Sequence, residues 1–235
     1  MAIVLTLVAL LAQDDAATAG KFLKAAHFPS AKSQDEWARK SEEYAAVVKL
    51  CVDRERWTAA LKRIVDAAGP VSDAWTLNVS FMEAEGDALA DSIRLDKKCI
   101  VRFNLRRLAK SERSASEIEG VIVHELTHLL QGTAAVPSWF AEGLASYFEG
   151  AADRIAGFLK EAKTIESVDA TGVDPYARGA LFFRWLETKV GAAKLKELVK
   201  AVYADEAGYR KTLEKIAGLK WEKLLAEELE AARKR

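Results

Sequence analysis

The sequence has little of several residue types, and each shortage excludes a class of protein. It holds only two cysteines, Cys51 and Cys99, with no CxxC spacing, which excludes a disulfide-rich scaffold and a cysteine metal site. We expect them to be buried thiols or to form one disulfide. Charge of either sign is not in excess, because 35 basic residues balance 35 acidic ones, so we expect no nucleic acid partner. Half of the residues are hydrophobic and 30% are charged, which is typical of a folded globular chain.

The N-terminal apolar run, "MAIVLTLVALLA", is too short to anchor the protein in a bilayer. Ala17-Thr18-Ala19 follows it and offers the small residues that a signal peptidase requires. This pattern predicts a signal peptide over residues 1–19. We therefore expect the protein to be exported and to be secreted, periplasmic or on the cell surface. We expect no stable membrane anchor once the signal peptide is removed. The alternative is a buried first strand or helix, because no lysine or arginine precedes the run.

Apolar spacing along the chain predicts an α+β fold. Residues 33–68 have the spacing of one or two amphipathic helices, whereas residues 74–81 and 99–103 are typical of strands. From Ser114 onward the spacing is helical, with helices predicted over 115–131, 138–149 and 176–190 and two more near the C-terminus. We therefore expect one domain over residues 20–235. Its parts are N-terminal helices and a small sheet (20–112), active-site helices (113–150) and a mainly helical C-terminal part (151–235).

The sequence contains only three histidines, and two of them lie in "VIVHELTHLLQG" (121–132). His124 and His128 are four residues apart, so on a helix both imidazoles lie on one face and can bind one metal ion. Glu125 follows the first histidine. A separate apolar stripe holds the helix in the core; its residues are Ile118, Ile122, Leu126, Leu129 and Leu130. The alternative interpretation is a pair of core histidines without a metal.

A catalytic zinc ion has three protein ligands and keeps a fourth position open for water. Glu142 lies in the first full turn of the next predicted helix and is the candidate for the third ligand. The alternative is that Glu142 is a solvated carboxylate on the helix surface. Gln131 and Ala134 exclude the zinc pattern with a third histidine just downstream, and His27 is expected in a loop or on the surface.

The stretches "HELTH" and "WFAEGLASY" resemble the gluzincin zinc metallopeptidases. Together with "SEIEGVIVHELTHLLQG", "YARGALFFRWLE" and "LEKIAGLKWEKLLAEEL", they are most similar to the plant-type basic secretory protein peptidases and their bacterial relatives. This resemblance implies a zincin-like fold with a small mixed sheet, and Zn²⁺ held by His124, His128 and Glu142. It also implies hydrolysis of a protein or peptide substrate by a zinc-activated water, with Glu125 as general base.

The resemblance also suggests Tyr176 as the catalytic residue that donates a hydrogen bond to the tetrahedral intermediate. Packing of this ring on the core is the alternative, and Tyr147 is a second candidate whose neighbours indicate packing. The aromatic residues of the C-terminal half are expected in the core rather than in a pocket: Trp139, Phe140, Phe148, Phe182, Phe183 and Trp185.

One position departs from the family pattern. Relatives carry an acidic residue four positions after the glutamate ligand, and this acidic residue is expected to orient a zinc-binding histidine. This chain has Ser146 at that position. Glu149 and Glu117 are possible substitutes, although both are expected to be exposed. The departure motivates an alternative function, a peptidase-like module that binds zinc or peptide with little or no turnover. A structural domain with a fortuitous motif is the third hypothesis.

Overall fold

The computed structural model describes residues 22, 25–68, 76–111, 114–131, 134–150, 152–204 and 208–234. The signal peptide predicted over 1–19 lies outside these residues. The described part is a mixed α+β structure with a three-stranded sheet and a large helical remainder. It divides into two compact units, one up to Leu129 and one from Leu130 onward, and the single domain over 20–235 stays a prediction. Among the described helices, none has the length and apolarity needed to cross a membrane.

Over the described residues 25–68, the first unit contains three helices, where the spacing predicts one or two. They are α1 (Ala31–Ala38), α2 (Glu42–Cys51) and α3 (Arg54–Ala68). Ser30 and Ser41 each accept a hydrogen bond from the backbone N–H three residues later, at 3.2 Å, and so start separate helices. Helix α3 is strongly amphipathic, and its buried face consists of Trp57, Ala60, Leu61, Ile64, Val65 and Ala68.

The sheet of this unit contains β1 (Thr76–Met82), β2 (Ala90–Leu95) and β3 (Lys98–Asn104) in the order β1-β3-β2. Strand β3 pairs in parallel with β1 and antiparallel with β2, so the sheet is mixed as predicted. Leu77 and Val79 lie opposite Cys99 and Val101, which places these four buried side chains on one face. Helix α3 contacts the sheet through Trp57, whose ring centroid is 6.2 Å from that of Phe103.

Helix α4 (Leu105–Lys110) follows the sheet, and α5 (Ala115–Gln131) matches the helix predicted over 115–131. Ser114 and Glu117 form a capping box at the start of α5. The Ser114 N–H donates to the Glu117 carboxylate at 2.8 Å, and the Glu117 N–H donates to the Ser114 hydroxyl at 3.3 Å. The predicted apolar stripe is confirmed as core for Ile118, Ile122, Leu126 and Leu129, each at most 3% exposed.

The second unit is helical in its described part. It contains α6 (Ser138–Glu149), α7 (Ala152–Glu161), α8 (Pro175–Val190), α9 (Ala192–Tyr203), α10 (Tyr209–Ala217) and α11 (Trp221–Arg233). Helix α6 has the bounds that the sequence predicts, and Gly150 ends it in the left-handed conformation at φ 90°. The apolar spacing does not predict α7 and α10, which are short and bury one and two residues.

Helices α6 and α8 form the centre of this unit. They approach so closely at Gly143 and Gly179 that a Cβ atom on Gly143 would lie 2.4 Å from the Gly179 Cα. Aromatic rings pack around this crossing, and the predicted core positions Trp139, Phe140, Phe148, Phe182 and Phe183 are all buried. Trp185 is only half-buried. The predicted core position is therefore confirmed for five of the six aromatic residues and not for Trp185.

Candidate metal centre

Helix α5 brings the two histidines of the motif together. Because His124 and His128 are one helical turn apart, their imidazoles lie side by side, with ring centroids 4.8 Å apart. The two Nε2 atoms face each other at 3.1 Å. Both residues are half-buried, whereas Ile122, Leu126 and Leu129 on another face of the helix are in the core.

Glu142 lies on α6, in the first full turn after Pro137. Pro137 is extended and leads directly into the helix, and its carbonyl accepts from the N–H groups of Phe140 and Ala141. One ligand atom each from His124, His128 and Glu142 lies within 4.8 Å of the other two. Within the described part of the chain, these three residues form a group that could hold a metal ion, and they are the three that the sequence predicts as ligands.

The donor set fits zinc. Two imidazole nitrogens and one carboxylate oxygen are ligand types that zinc accepts at about 2.0–2.2 Å. Two ligands at that distance in tetrahedral geometry lie roughly 3.3 Å apart, and the two Nε2 atoms are 3.1 Å apart. Three protein ligands also leave a coordination position for water or substrate, as in catalytic rather than structural zinc sites.

Glu125 directly follows His124 and is 6% exposed. A carboxylate at this burial is largely removed from bulk water, which is a setting for proton transfer rather than for a solvated surface charge. Its position on α5 keeps it next to the histidine face, because adjacent helical residues are separated by about 100° around the axis.

Ser146, the departure from the family pattern, is fully buried. Its hydroxyl accepts a hydrogen bond from Nη1 of Arg154 at 2.7 Å. The same Nη1 lies 3.4 Å from Oε2 of Glu149, whose side chain is only 14% exposed. The expectation that Glu149 is exposed is therefore wrong. Glu117 is exposed as predicted, and its carboxylate caps the start of α5.

Tyr176 is the second residue of α8, directly after Pro175. Asp174 caps this helix, since its carboxylate accepts from the Tyr176 N–H at 2.9 Å and from the Ala177 N–H at 3.4 Å. The Tyr176 side chain is not packed into the core, because the residue is 41% exposed. Tyr147, in contrast, packs beside Phe148 and Phe183 and against the cluster around Ile155, as its neighbours indicate.

Two residues near these positions are not predicted from the sequence. Arg154 has the charged, partly exposed character of many helical arginines, and only its contacts with Ser146, Glu149 and Tyr176 distinguish it. Gln131 is 8% exposed, and its Nε2 donates a hydrogen bond to the Ala141 carbonyl at 3.0 Å. Ala141 is the residue directly before Glu142 in the chain. A buried glutamine on the histidine face, one turn beyond His128, is the sequence signal that could have identified it.

Comparison with known proteins places the chain in a family. A family model described as "Peptidase of plants and bacteria" matches residues 59–228. The crystal structure of an M1 zinc metallopeptidase from Deinococcus radiodurans has a similar fold over 77% of this chain, at a TM-score of 0.51 and 21% sequence identity. The chain spans less than half of that peptidase, 43% of which is covered, and no curated protein matches the chain significantly. Because the family model covers most of its length, the chain belongs to the peptidase family of plants and bacteria.

Proposed function

We propose that the protein is an exported, zinc-dependent peptidase with a zincin-like catalytic fold. The observation that carries the proposal is the group of His124, His128 and Glu142, whose ligand atoms lie within 4.8 Å of one another in a chain of a peptidase family. When bound there, zinc supplies a Lewis acid that makes water a nucleophile near neutral pH and polarises a carbonyl group.

The protein's own residues then carry the proton transfers. Glu125 accepts a proton from the attacking water at a carboxylate oxygen and delivers it to the nitrogen of the leaving amine. Its low exposure of 6% keeps competing solvent away from the carboxylate. Tyr176 donates a hydrogen bond from its hydroxyl to the oxygen on which negative charge develops. The substrate is a protein or peptide, which is consistent with the family.

The first experiment measures zinc content by elemental analysis beside hydrolysis of a protein substrate. We expect about one zinc per chain in the wild type and loss of zinc in both His128→Ala and Glu142→Ala, because three ligands are needed. His27→Ala is the matched control, since His27 is exposed and its backbone, rather than its ring, bridges to Asn78. Full zinc in Glu142→Ala would contradict its role as third ligand.

The general base is tested separately. Glu125→Gln should retain zinc and reduce kcat by about 10²–10⁴-fold, because the amide cannot accept the proton. Glu119→Gln, on the same helix, is the control for the loss of one carboxylate and should keep wild-type kcat. Unchanged hydrolysis by Glu125→Gln would rule out this mechanism.

The lack of a carboxylate at position 146, where the chain has the buried Ser146, motivates a second candidate function, a zinc- or peptide-binding module without turnover. A carboxylate beside a ligand orients it and raises its basicity, and Ser146 supplies no charge. If the wild type binds zinc but does not hydrolyse peptides, Ser146→Asp should produce activity. Vigorous hydrolysis by the wild type would exclude this candidate.

A further inference from the structure

Arg154 joins two helices of the second unit through contacts that fix its guanidinium. From α7, its Nη1 donates to the Ser146 hydroxyl at 2.7 Å and lies 3.4 Å from Oε2 of Glu149, and both partners are on α6. The Ser146 side chain is fully buried and that of Glu149 is 14% exposed. An arginine held by a buried hydroxyl and a mostly buried carboxylate has little rotamer freedom left.

The same guanidinium lies over the ring of Tyr176. Its Cζ atom is 5.5 Å from the ring centroid, within the range of a cation–π contact. The Asp174 cap fixes the backbone of Tyr176 but not its side-chain torsions. Because 41% of Tyr176 is exposed, a fixed cation on the ring is an effective restraint on where the hydroxyl points.

We propose that Arg154 is a positioning residue for Tyr176. Ser146 and Glu149 hold the guanidinium, and the guanidinium holds the phenol ring in the orientation that transition-state stabilisation requires. This inference rests on the proposed function, in which Tyr176 is the hydrogen-bond donor. It also accounts for a serine at position 146, because the Ser146 hydroxyl accepts a hydrogen bond from Arg154 while Glu149 balances the charge of the guanidinium.

A double-mutant cycle tests the inference in the zinc-loaded full chain. Arg154→Met should lower kcat roughly threefold to tenfold, the size of a partly exposed cation–π contact, with KM within about twofold. The same change in a Tyr176→Phe background should have no further effect on kcat, because the hydroxyl that Arg154 positions is gone. Arg154→Lys keeps the positive charge but not the planar guanidinium, so its kcat should lie between those of the wild type and Arg154→Met.

Two further variants make the cycle specific. Lys160→Met removes a positive charge from the same helix at an exposed position and should leave kcat unchanged. Ser146→Ala removes the anchor and should lower kcat only when Tyr176 is present. If Arg154→Met folds poorly, Arg154→Lys and Ser146→Ala carry the test.

The contact itself is measured without activity. In NMR spectra, the Arg154 side-chain N–H signals should be shifted upfield by the ring in the wild type and in Tyr176→Phe, and should move to ordinary values in Tyr176→Leu. Absence of this shift overturns the inference, as does an equal loss of kcat in both Tyr176 backgrounds. A wild type that does not hydrolyse peptides overturns the proposed function as well, whereas an active wild type with an unaffected Arg154→Met overturns the positioning role alone.

Discussion

At the scale of single residues, the two cysteines are buried thiols rather than a disulfide. Cys51 and Cys99 are free and fully buried, and burial raises the pKa of both thiols. Because the thiolate is the reactive form, we expect a thiol reagent at pH 8 to label neither cysteine in the native protein and both after unfolding. The measurement is absorbance of the released chromophore with and without denaturant. Rapid labelling of the native protein, or a disulfide found by mass spectrometry, would contradict this prediction.

Residues of the candidate site differ in how far the sequence reveals them. His124 and His128 are predictable as a pair, because the helical repeat alone places them on one face. Glu142 is predictable only as a candidate metal ligand, because its distance from the two histidines depends on how the chain turns after α5. The contacts of Arg154 with Ser146 and Tyr176 depend on the packing of three helices, and no spacing in the sequence encodes them.

At the scale of helices and strands, elements with a strong apolar pattern are predictable and weak ones are not. Helices α5 and α6 have the predicted bounds, because each contains many apolar residues that are buried. Strand β2 is missed, since only Ala90 among its six residues is buried and its pairing with β3 comes from the tertiary structure. One of its cross-strand contacts is the ion pair between Asp91 and Arg102, at 2.6 Å.

The crossing of α6 and α8 depends on two glycines, and this gives a prediction at the same scale. A Cβ atom on Gly179 would lie 2.2 Å from the Trp139 carbonyl oxygen, and one on Gly143 would meet the Gly179 backbone. Gly143→Ala should therefore lower the free energy of unfolding by about 1–3 kcal/mol or more, because backbone cannot move aside cheaply. It should also reduce hydrolysis, since Gly143 follows Glu142 directly.

Gly157→Ala is the matched control for this crossing. Gly157 lies inside α7, and a Cβ atom there would meet nothing within 4 Å. The change should leave stability unaltered or raise it by up to about 1 kcal/mol, because alanine favours the helix. Urea unfolding of the two variants decides the matter, and equal midpoints would mean that the close approach does not exist in solution.

At the scale of the whole chain, residues 50 positions apart form a buried ion pair in the second unit. Arg178 and Glu228 are both fully buried; Nη1 donates to Oε1 at 2.7 Å, and Nη2 pairs with Oε2. Nε of Arg178 donates to the Glu166 carbonyl at 2.9 Å, so the guanidinium also holds the segment before α8. A formal charge balance of zero gives no sign of this pair, because charged residues on helices are usually exposed.

Removing one member of this pair should be more harmful than removing both. Glu228→Ala leaves a buried guanidinium unpaired and should lower the free energy of unfolding by about 3–5 kcal/mol. The double variant Arg178→Met with Glu228→Leu should recover a large part of that loss, because neither side chain then carries a buried charge. Glu230→Ala is the control, since its pair with Lys234 is about 70% exposed on each side chain and should contribute less than about 1 kcal/mol. If urea unfolding gives Glu228→Ala and Glu230→Ala the same midpoint, the buried pair does not stabilise the C-terminal helix.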